Sequence, residues 1–311
     1  MRITSRMMKN DFLNNLNTNL TILTKSQKQI ATGKVLNSLS DDPIRLISSM
    51  NCKVKLGRTV RYKSSVSSAL EWLDQTESSV SELNDILKSA YETAVKMSND
   101  DLTLDDKNAA AELIAQLRDH VLGLGNSQVG DRYIFGGYNV NKPPFTADGT
   151  GGINYNGIDL TDETNASLIN EGKEKIQIEL GYNVSMDISI NGTELLGTGD
   201  GNIYSMLNDF YNALRSDSDA SVLSGYITKI QDAQSKTLST LSKVGGMINR
   251  MELLENRYEE ERLTYIEQKS NIEDVDYAEA YMNYNMAKAV YEAALQVGTE
   301  ITQRTILDYM R

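Results

Sequence analysis

The sequence predicts a mainly α-helical protein with a β-rich insert, in which long helices from both chain ends form an antiparallel rod. Two observations support this fold class. Apolar residues recur at helical spacing near both ends, in alternating steps of three and four in the first helix and mostly in steps of four in the last, which is typical of helices that pack on other helices. Most of the 21 glycines lie instead between Gly123 and Gly201, where alternating apolar and polar residues favour strands.

Composition excludes several classes of function. The 311 residues include 31 basic and 43 acidic ones, for a formal net charge of -12, which argues against a nucleic-acid partner. No run approaches the roughly 20 apolar residues that span a bilayer, so no membrane partner is predicted. The first residues lack the apolar core of a cleavable signal peptide, so we expect any export to use another route.

The first helix carries a heptad seam and is predicted to end before Gly33, which suits the left-handed position beyond a helix end. The seam consists of Leu13, Leu16, Leu20, Leu23, Gln27 and Ile30. A helix with such a narrow stripe needs a partner helix, and Gln27 is a polar position that can set the register of the pair. The seam is therefore a candidate assembly interface.

A second helix is predicted to begin at Pro43. The two aspartates before it can cap a helix, and proline loses no hydrogen bond at the first helical position. Because few breakers follow, this helix should continue to Met97, a length of about 80 Å. After an acidic turn, Asp105 or Asp106 is predicted to cap a third helix.

The β-rich insert is predicted at residues 131–201. Alternating apolar residues at 176–180 and at 184–190 indicate two half-buried strands. The pair Asn191 and Gly192 predicts a hairpin turn, because both residues tolerate positive φ. Helical spacing returns at Ile203.

The C-terminal part is predicted to be helical, with a bend or join at Gly245 and Gly246. From Ile272 onward an apolar stripe drifts around the last helix. Its members are Met282, Met286, Val290, Ala294, Val297 and Ile301. We expect this stripe to be the partner of the first seam, within the chain on one side and in a neighbouring subunit on the other.

These elements divide the chain into five predicted segments. They are an N-terminal assembly helix and link at 1–42, an N-terminal helical rod at 43–130, the β-rich insert at 131–201, a C-terminal helical rod at 202–271 and a C-terminal assembly helix at 272–311. Both ends bear seams, and the middle is globular.

No catalytic, cofactor or metal site is predicted. His120 is the only histidine and lies beside seam residues of the third helix, so a multi-histidine metal site is excluded. The glycines at 197–201 lack the Lys-Ser/Thr ending of a phosphate loop. A glycan-binding or hydrolytic module in the insert is a remote alternative, with Tyr133, Phe135, Tyr138 and Tyr155 as a possible sugar platform.

Two segments resemble a known family. Residues 32–43, TGKVLNSLSDDP, are similar to the segment that follows the first helix of bacterial flagellins and flagellin-like hook-associated proteins. The matching positions there are Gly33, Asn37, Asp41, Asp42 and Pro43. Residues 130–145 resemble a glycine- and aromatic-rich segment of the hook-associated branch, and the matching positions are Tyr133, Phe135, Gly136, Pro144 and Phe145.

The resemblance implies a flagellin-like fold and a structural role in the bacterial flagellum, without enzymatic activity or cofactors. The implied subunit joins the hook, through hook-associated protein 1, to the flagellin filament, and forms a ring with further copies of itself. The family is exported through the flagellar type III channel, often with a cytoplasmic chaperone, which implies an extracellular location. Flagellin itself, the filament subunit, is the alternative.

Overall fold

A computed structural model describes residues 5–98, 103–149, 151–161, 165, 175–216 and 218–307. The helices are α1 (Ser5–Thr32), α2 (Pro43–Met97), α3 (Leu104–Gly125), α4 (Gly192–Leu196), α5 (Ile203–Arg215), α6 (Ala220–Glu273) and α7 (Tyr277–Leu307). The strands are β1 (Gln128–Val129), β2 (Arg132–Tyr133), β3 (Phe145–Ala147), β4 (Ile153–Tyr155), β5 (Ile158–Asp159), β6 (Gln177–Gly181) and β7 (Val184–Asp187). A mainly α fold with a small β-rich insert and long helices from both ends is therefore confirmed.

The chain forms two units. The first combines residues up to 59 with residues from 260 onward, and the second spans residues 60–259. Both α2 and α6 contribute to each unit, and they run antiparallel in each. In the first unit the Cys52 thiol donates to the Tyr265 carbonyl at 3.1 Å, and in the second Tyr62 packs on Tyr258 with ring centroids 5.9 Å apart. The two units are defined by contacts between residues. They do not test the boundaries of the five predicted segments, which stay predictions.

The start of α2 is where the sequence predicts it. A carboxylate oxygen of Asp42 accepts the backbone N–H groups of Ile44 and Arg45 at 3.0 Å each, so two otherwise unpaired amides of the first turn are satisfied. Pro43 occupies the first helical position. At the other end, α1 stops at Thr32 and Gly33 takes a φ of 69°. Local chemistry alone accounts for both boundaries.

The cap of α3 differs from the predicted one. Thr103, rather than an aspartate, is the N-cap, and its hydroxyl accepts the N–H of Asp106. The Asp106 carboxylate accepts the Thr103 backbone N–H at 3.2 Å in return, which completes a capping box. The predicted N-cap lies two or three residues too late, because an aspartate can accept a hydrogen bond from the cap residue within the first helical turn as well as act as the N-cap itself.

The predicted hairpin turn at Asn191 and Gly192 is also wrong. These residues begin the short helix α4, with Asn191 as its N-cap in an extended conformation. The turn between β6 and β7 lies instead at Tyr182 and Asn183, where Asn183 has a φ of 54°. Asparagine tolerates this left-handed conformation better than most residues, so Asn183 is a normal turn residue. The prediction placed the turn at the wrong asparagine.

The join predicted as one of two options at Gly245 and Gly246 is absent, because α6 is continuous through both residues, while the alternative of a bend stays a prediction. In the part of the chain that the structure describes, the strands form three antiparallel sheets, ordered β1-β2, β3-β4-β5 and β6-β7. The main hydrophobic core lies in the second unit and includes the fully buried side chains of Phe135, Phe145 and Tyr155.

Gly192 lies directly against that core. A Cβ atom at this position would lie 2.4 Å from ring atoms of both Phe145 and Tyr155. We expect Gly192→Ala to lower the free energy of unfolding by about 1–3 kcal/mol, because two packed rings must shift. Urea unfolding followed by circular dichroism measures this. Gly225→Ala is the matched control, since Gly225 lies in α6 and, apart from the adjacent backbone of its own helix, nothing lies within 4 Å of its Cβ position, so the substitution should be neutral or slightly stabilising. Equal effects of the two substitutions would contradict the packing argument.

Candidate assembly interface

Helices α1 and α7 pack along each other in the first unit. The less exposed positions of α1 are Phe12, Leu16, Asn19, Leu23, Ser26 and Ile30, and those of α7 are Ala280, Tyr284, Ala287, Tyr291, Ala294 and Gly298. Both sets alternate steps of three and four, as in a two-helix seam. At Gly298 the two helices approach closely, because a Cβ there would lie 2.3 Å from the Phe12 ring. The absence of a side chain at Gly298 therefore makes room for Phe12.

The structure divides the predicted N-terminal seam between two faces. Leu16, Leu23 and Ile30 are half-buried along the α7 side of α1. Leu13 and Leu20 are 53% and 40% exposed, and Gln27 is exposed as well, so these three lie outside the seam. At 100° per residue, these three residues lie about a quarter of a turn around α1 from the side that faces α7.

The structure also places most of the stripe predicted on α7 outside the contact with α1. Of the predicted residues, only Ala294 lies on the α1 side. Met282, Met286, Val290 and Val297 are 57%, 60%, 49% and 51% exposed, and the side chain of Ile301 lies outside the described residues. The expectation that these large residues cover α1 was wrong, because alanine, glycine and tyrosine residues occupy the α1 side of α7 instead. Their assignment as an assembly interface stays a prediction.

We call Met282, Met286, Val290 and Val297 the outer stripe of α7. The residues follow steps of four, four and seven, so they align along one side of the helix. This side is roughly a third of a turn from the α1 seam. Helix α7 is therefore apolar on two sides, of which α1 covers one.

The link after α1 is tied to the turn between α6 and α7. The Val35 N–H donates to the Glu273 carbonyl at 2.8 Å, and the Val275 N–H donates to the Gly33 carbonyl at 3.0 Å. Gly33 also lies against Tyr277, where a Cβ would be 2.7 Å from the phenol oxygen. The family position Gly33 is thus required by its positive φ and by this close approach.

Glu273 connects three elements through one carboxylate. It is 2% exposed, and it accepts from the Ser49 hydroxyl and the Lys53 ammonium of α2 and from the Lys34 ammonium of the link at 3.1 Å. Burial raises the pKa of Glu273, but the hydrogen bonds from Lys53, Ser49 and Lys34 outweigh it and lower the pKa to about 2. The carboxylate is therefore charged and fully paired where α2, α6 and the link meet.

Asp41 organises the link itself. The Lys25 ammonium, 3.0 Å away, holds the pKa of Asp41 well below its usual range against a smaller opposing effect of burial. The backbone N–H groups of Ser38 and Asn37 also donate to this carboxylate, at 2.8 and 3.1 Å. The Asn37 side chain in turn donates to the Lys34 carbonyl at 2.8 Å. The first family segment is thus a compact, hydrogen-bonded joint.

The second family segment builds the core of the second unit. The Phe135 carbonyl accepts from the Tyr155 hydroxyl at 2.9 Å, and the backbone of Phe145 exchanges two 3.0 Å hydrogen bonds with the Asn126 side chain. Gly136 leaves no room for a side chain, since its Cβ would lie 2.4 Å from the Asn139 carbonyl oxygen. These positions stabilise the insert against α3.

The remaining family positions of this segment, Tyr133 and Pro144, form backbone hydrogen bonds within the insert, and the predicted sugar platform is spread over buried and exposed positions. The Tyr133 N–H donates to the Val140 carbonyl at 2.9 Å, and the Pro144 carbonyl accepts the Asn156 N–H at 2.8 Å. Of the four platform aromatics, Phe135 and Tyr155 are buried, Tyr133 is half-buried and Tyr138 is exposed. The four rings therefore do not form a common exposed face.

Neither metal binding nor membrane crossing finds a structural basis in the described ranges. They contain no group of three or more His, Cys, Asp or Glu side chains that could hold a metal ion. Each helix there falls short of the combined length and apolarity of a membrane span. His120 is half-exposed, with its Nε2 atom 3.0 Å from Glu82.

Comparison with known proteins defines the class. Residues 3–140 match the bacterial flagellin N-terminal helical region, and residues 227–310 match the bacterial flagellin C-terminal helical region. These two regions make up most of the chain, and the chain belongs to the flagellin family.

Individual relatives narrow the comparison. The chain is 24% identical over 315 residues to flagellar hook-associated protein 3 of Escherichia coli strain K12, with 97% of both chains covered. It is 22% identical over 323 residues to flagellar hook-associated protein 3 of Salmonella typhimurium, with both chains fully covered. The flagellar junction protein FlgL of Legionella pneumophila has the same fold, with a TM-score of 0.58 at 12% identity, over 74% of this chain and all of that one.

The paired carboxylate at Glu273 makes the stability of the first unit depend on pH. Its pKa is 4.5 ordinarily and about 2 in the folded chain, so its stabilisation is complete above pH 4.5 and is lost as the pH falls toward 2. Glu273→Gln should lower the free energy of unfolding by roughly 2–3 kcal/mol near neutral pH. The difference from the wild type should shrink at pH 3.

Thermal unfolding of both proteins at pH 6 and pH 3, followed by circular dichroism, measures this difference. Glu267→Gln is the matched control, because Glu267 is an exposed carboxylate of the same helix, and it should change little at either pH. A Glu273→Gln deficit of the same size at both pH values would contradict the assigned role of the charge.

Proposed function

We propose that this chain is a structural subunit of the bacterial flagellum that joins the hook to the flagellin filament. Membership of the flagellin family and full-length similarity to two proteins named flagellar hook-associated protein 3 support the proposal. The similarly folded Legionella protein is described as a flagellar junction protein. The subunit assembles through packing of α1 and α7 between neighbours.

The outer stripe of α7 is the observation that carries this mechanism. Four large apolar side chains, each about half exposed, line one side of a helix that already packs against α1 on another. Complete burial of a Met or Val side chain is worth about 1.5–3 kcal/mol relative to full exposure, so covering the stripe in an assembly is favourable. The exposed Leu13 and Leu20 add a second apolar flank on α1.

The partners follow from this role. We assign hook-associated protein 1 on the hook side, flagellin on the filament side, and further copies of the chain within a ring. A cytoplasmic chaperone accompanies the subunit before export through the flagellar type III channel to an extracellular position. Catalysis has no place in this mechanism, and neither nucleic acid nor membrane takes part.

Flagellin, the filament subunit, is the second candidate, because the matching terminal regions are those of flagellin. The two candidates differ in where the protein lies. Immunogold labelling of whole cells should give a single band at the distal end of the hook. Labelling along the filament would favour flagellin instead, and purified chains that polymerise alone into long filaments would do the same.

The assembly surface can be tested with Met286→Asp. Met286 is 60% exposed, so the substitution should leave the free energy of unfolding within about 0.5 kcal/mol of wild type. An aspartate buried in a subunit interface is costly, so filaments per cell should fall by about tenfold or more. Electron microscopy counts the filaments.

Leu253→Asp is the matched control, because Leu253 is 72% exposed on α6 and belongs to the second unit. This variant should assemble normally. Normal filaments and motility in Met286→Asp would show that the outer stripe is not an assembly surface.

A further inference from the structure

Helix α2 carries a second exposed apolar stripe within the first unit. Ile47, Met50 and Val54 are 59%, 56% and 53% exposed. Steps of three and four place these three residues along one side of the helix, and a further step of four reaches Arg58. We call these four residues the α2 stripe.

The α2 stripe faces away from the helix partners of α2 in this unit. Ser49 and Cys52 contact Glu273 and Tyr265 of α6, and both are buried. By helical geometry the α2 stripe lies nearly opposite these residues. Within the described residues, the α2 stripe is therefore more than half exposed at Ile47, Met50 and Val54 and does not lie on the side that packs against α6.

Charge distinguishes this part of α2 from the rest of the chain. The chain has a net charge of -12, yet α2 contains no acidic residue before Glu71. Within the first unit, Lys53 pairs with Glu273, and Lys55 lies 5.9 Å from the Tyr265 ring. Among the described residues Arg58 is exposed and has no ion-pair partner. It is thus a cation free to meet another subunit.

The outer stripe of α7 has the complementary pattern. One step of three before Met282 lies Glu279, an exposed carboxylate on the same side of the helix. Its side chain forms no ion pair within the described part of the chain. The stretch from Glu279 to Val290 therefore has a carboxylate followed by three large apolar residues, and the stretch from Ile47 to Arg58 has three apolar residues followed by a guanidinium.

The two stretches also match in length and register. Each covers about 16 Å of helix. When the helices run antiparallel, Arg58 meets Glu279, Val54 meets Met282, Met50 meets Met286, and Ile47 meets Val290. All steps are then three or four residues, which is the spacing of an antiparallel helix pair.

We propose that the α2 stripe of one subunit docks on the outer stripe of α7 in a second copy of this chain, with Arg58 paired to Glu279. This inference rests on the proposed function, because it names the surface that covers the outer stripe in the ring. The contact joins two different surfaces, so it repeats from subunit to subunit and produces a ring or a helical array.

Charge reversal tests the pairing. Arg58→Glu should place two carboxylates together, and Glu279→Arg two cations, and each should reduce filaments per cell by about tenfold or more. The double variant, Arg58→Glu with Glu279→Arg, should restore filaments to within about twofold of wild type. Arg132→Glu, an exposed arginine of the insert, makes the same change in net charge and should have no effect.

Cross-linking on whole cells tests the register directly. In a Cys52→Ser background, Met50→Cys combined with Met286→Cys should give disulfide-linked oligomers after oxidation. Met50→Cys combined with Leu295→Cys should not, because Leu295 is 43% exposed on another side of α7. The full-length chain is used throughout, and the circular dichroism of each variant shows that it folds.

The outcomes separate the two proposals. Loss of filaments in both single variants and their restoration in the double variant support the docking. Disulfide cross-linking that occurs with cysteines at positions 50 and 286 but not with cysteines at positions 50 and 295 supports it as well. Normal filaments in either single variant, or failure of the double variant to recover, overturns the docking while immunogold labelling of the wild type at the hook still supports the proposed function. Wild-type protein absent from the flagellum overturns the proposed function itself.

Discussion

The constraint on which the first unit depends is that one helix partner cannot cover a helix that is apolar on two sides. Alanine and glycine alternate with tyrosine on the α1 side of α7, and Phe12 fits against Gly298. Apolar residues such as Met286 lie on another side of α7, where they are exposed. One side of α7 therefore stabilises the fold of the chain, and the other remains available to other chains.

A second requirement is that both terminal helices are held in position by their connections. The buried carboxylate of Glu273 joins α6, α2 and the link, and the more exposed carboxylate of Asp41 shapes the link. Burial alone would favour a neutral Glu273, but three donors keep it charged. A buried charge of this kind is stable only when its partners are present, so loss of one partner destabilises the whole joint.

The second unit has a different physical basis. Its core packs aromatic rings against glycines, as Phe145 packs on Gly125 and Gly192. The Tyr155 hydroxyl donates to the Phe135 carbonyl, and the side chain of Asn126, directly after α3, forms hydrogen bonds with the Phe145 backbone. The glycine- and aromatic-rich family segment is therefore a packing element. Phe135 and Phe145 of this segment are buried, whereas the terminal helices keep exposed apolar stripes.

Sequence by itself determined the helix-rich class, the limits of α2 and the end of α1, because Asp42, Pro43 and Gly33 act through local backbone hydrogen bonds and φ preferences. It also indicated both apolar helices at the ends. Only the tertiary structure decided which side of each helix faces inward, placing Leu16 in the seam and Leu20 outside it. The physical reason is that a heptad pattern shows where apolar residues lie on a helix, whereas the size of the residues on the facing helix decides which of them can approach closely.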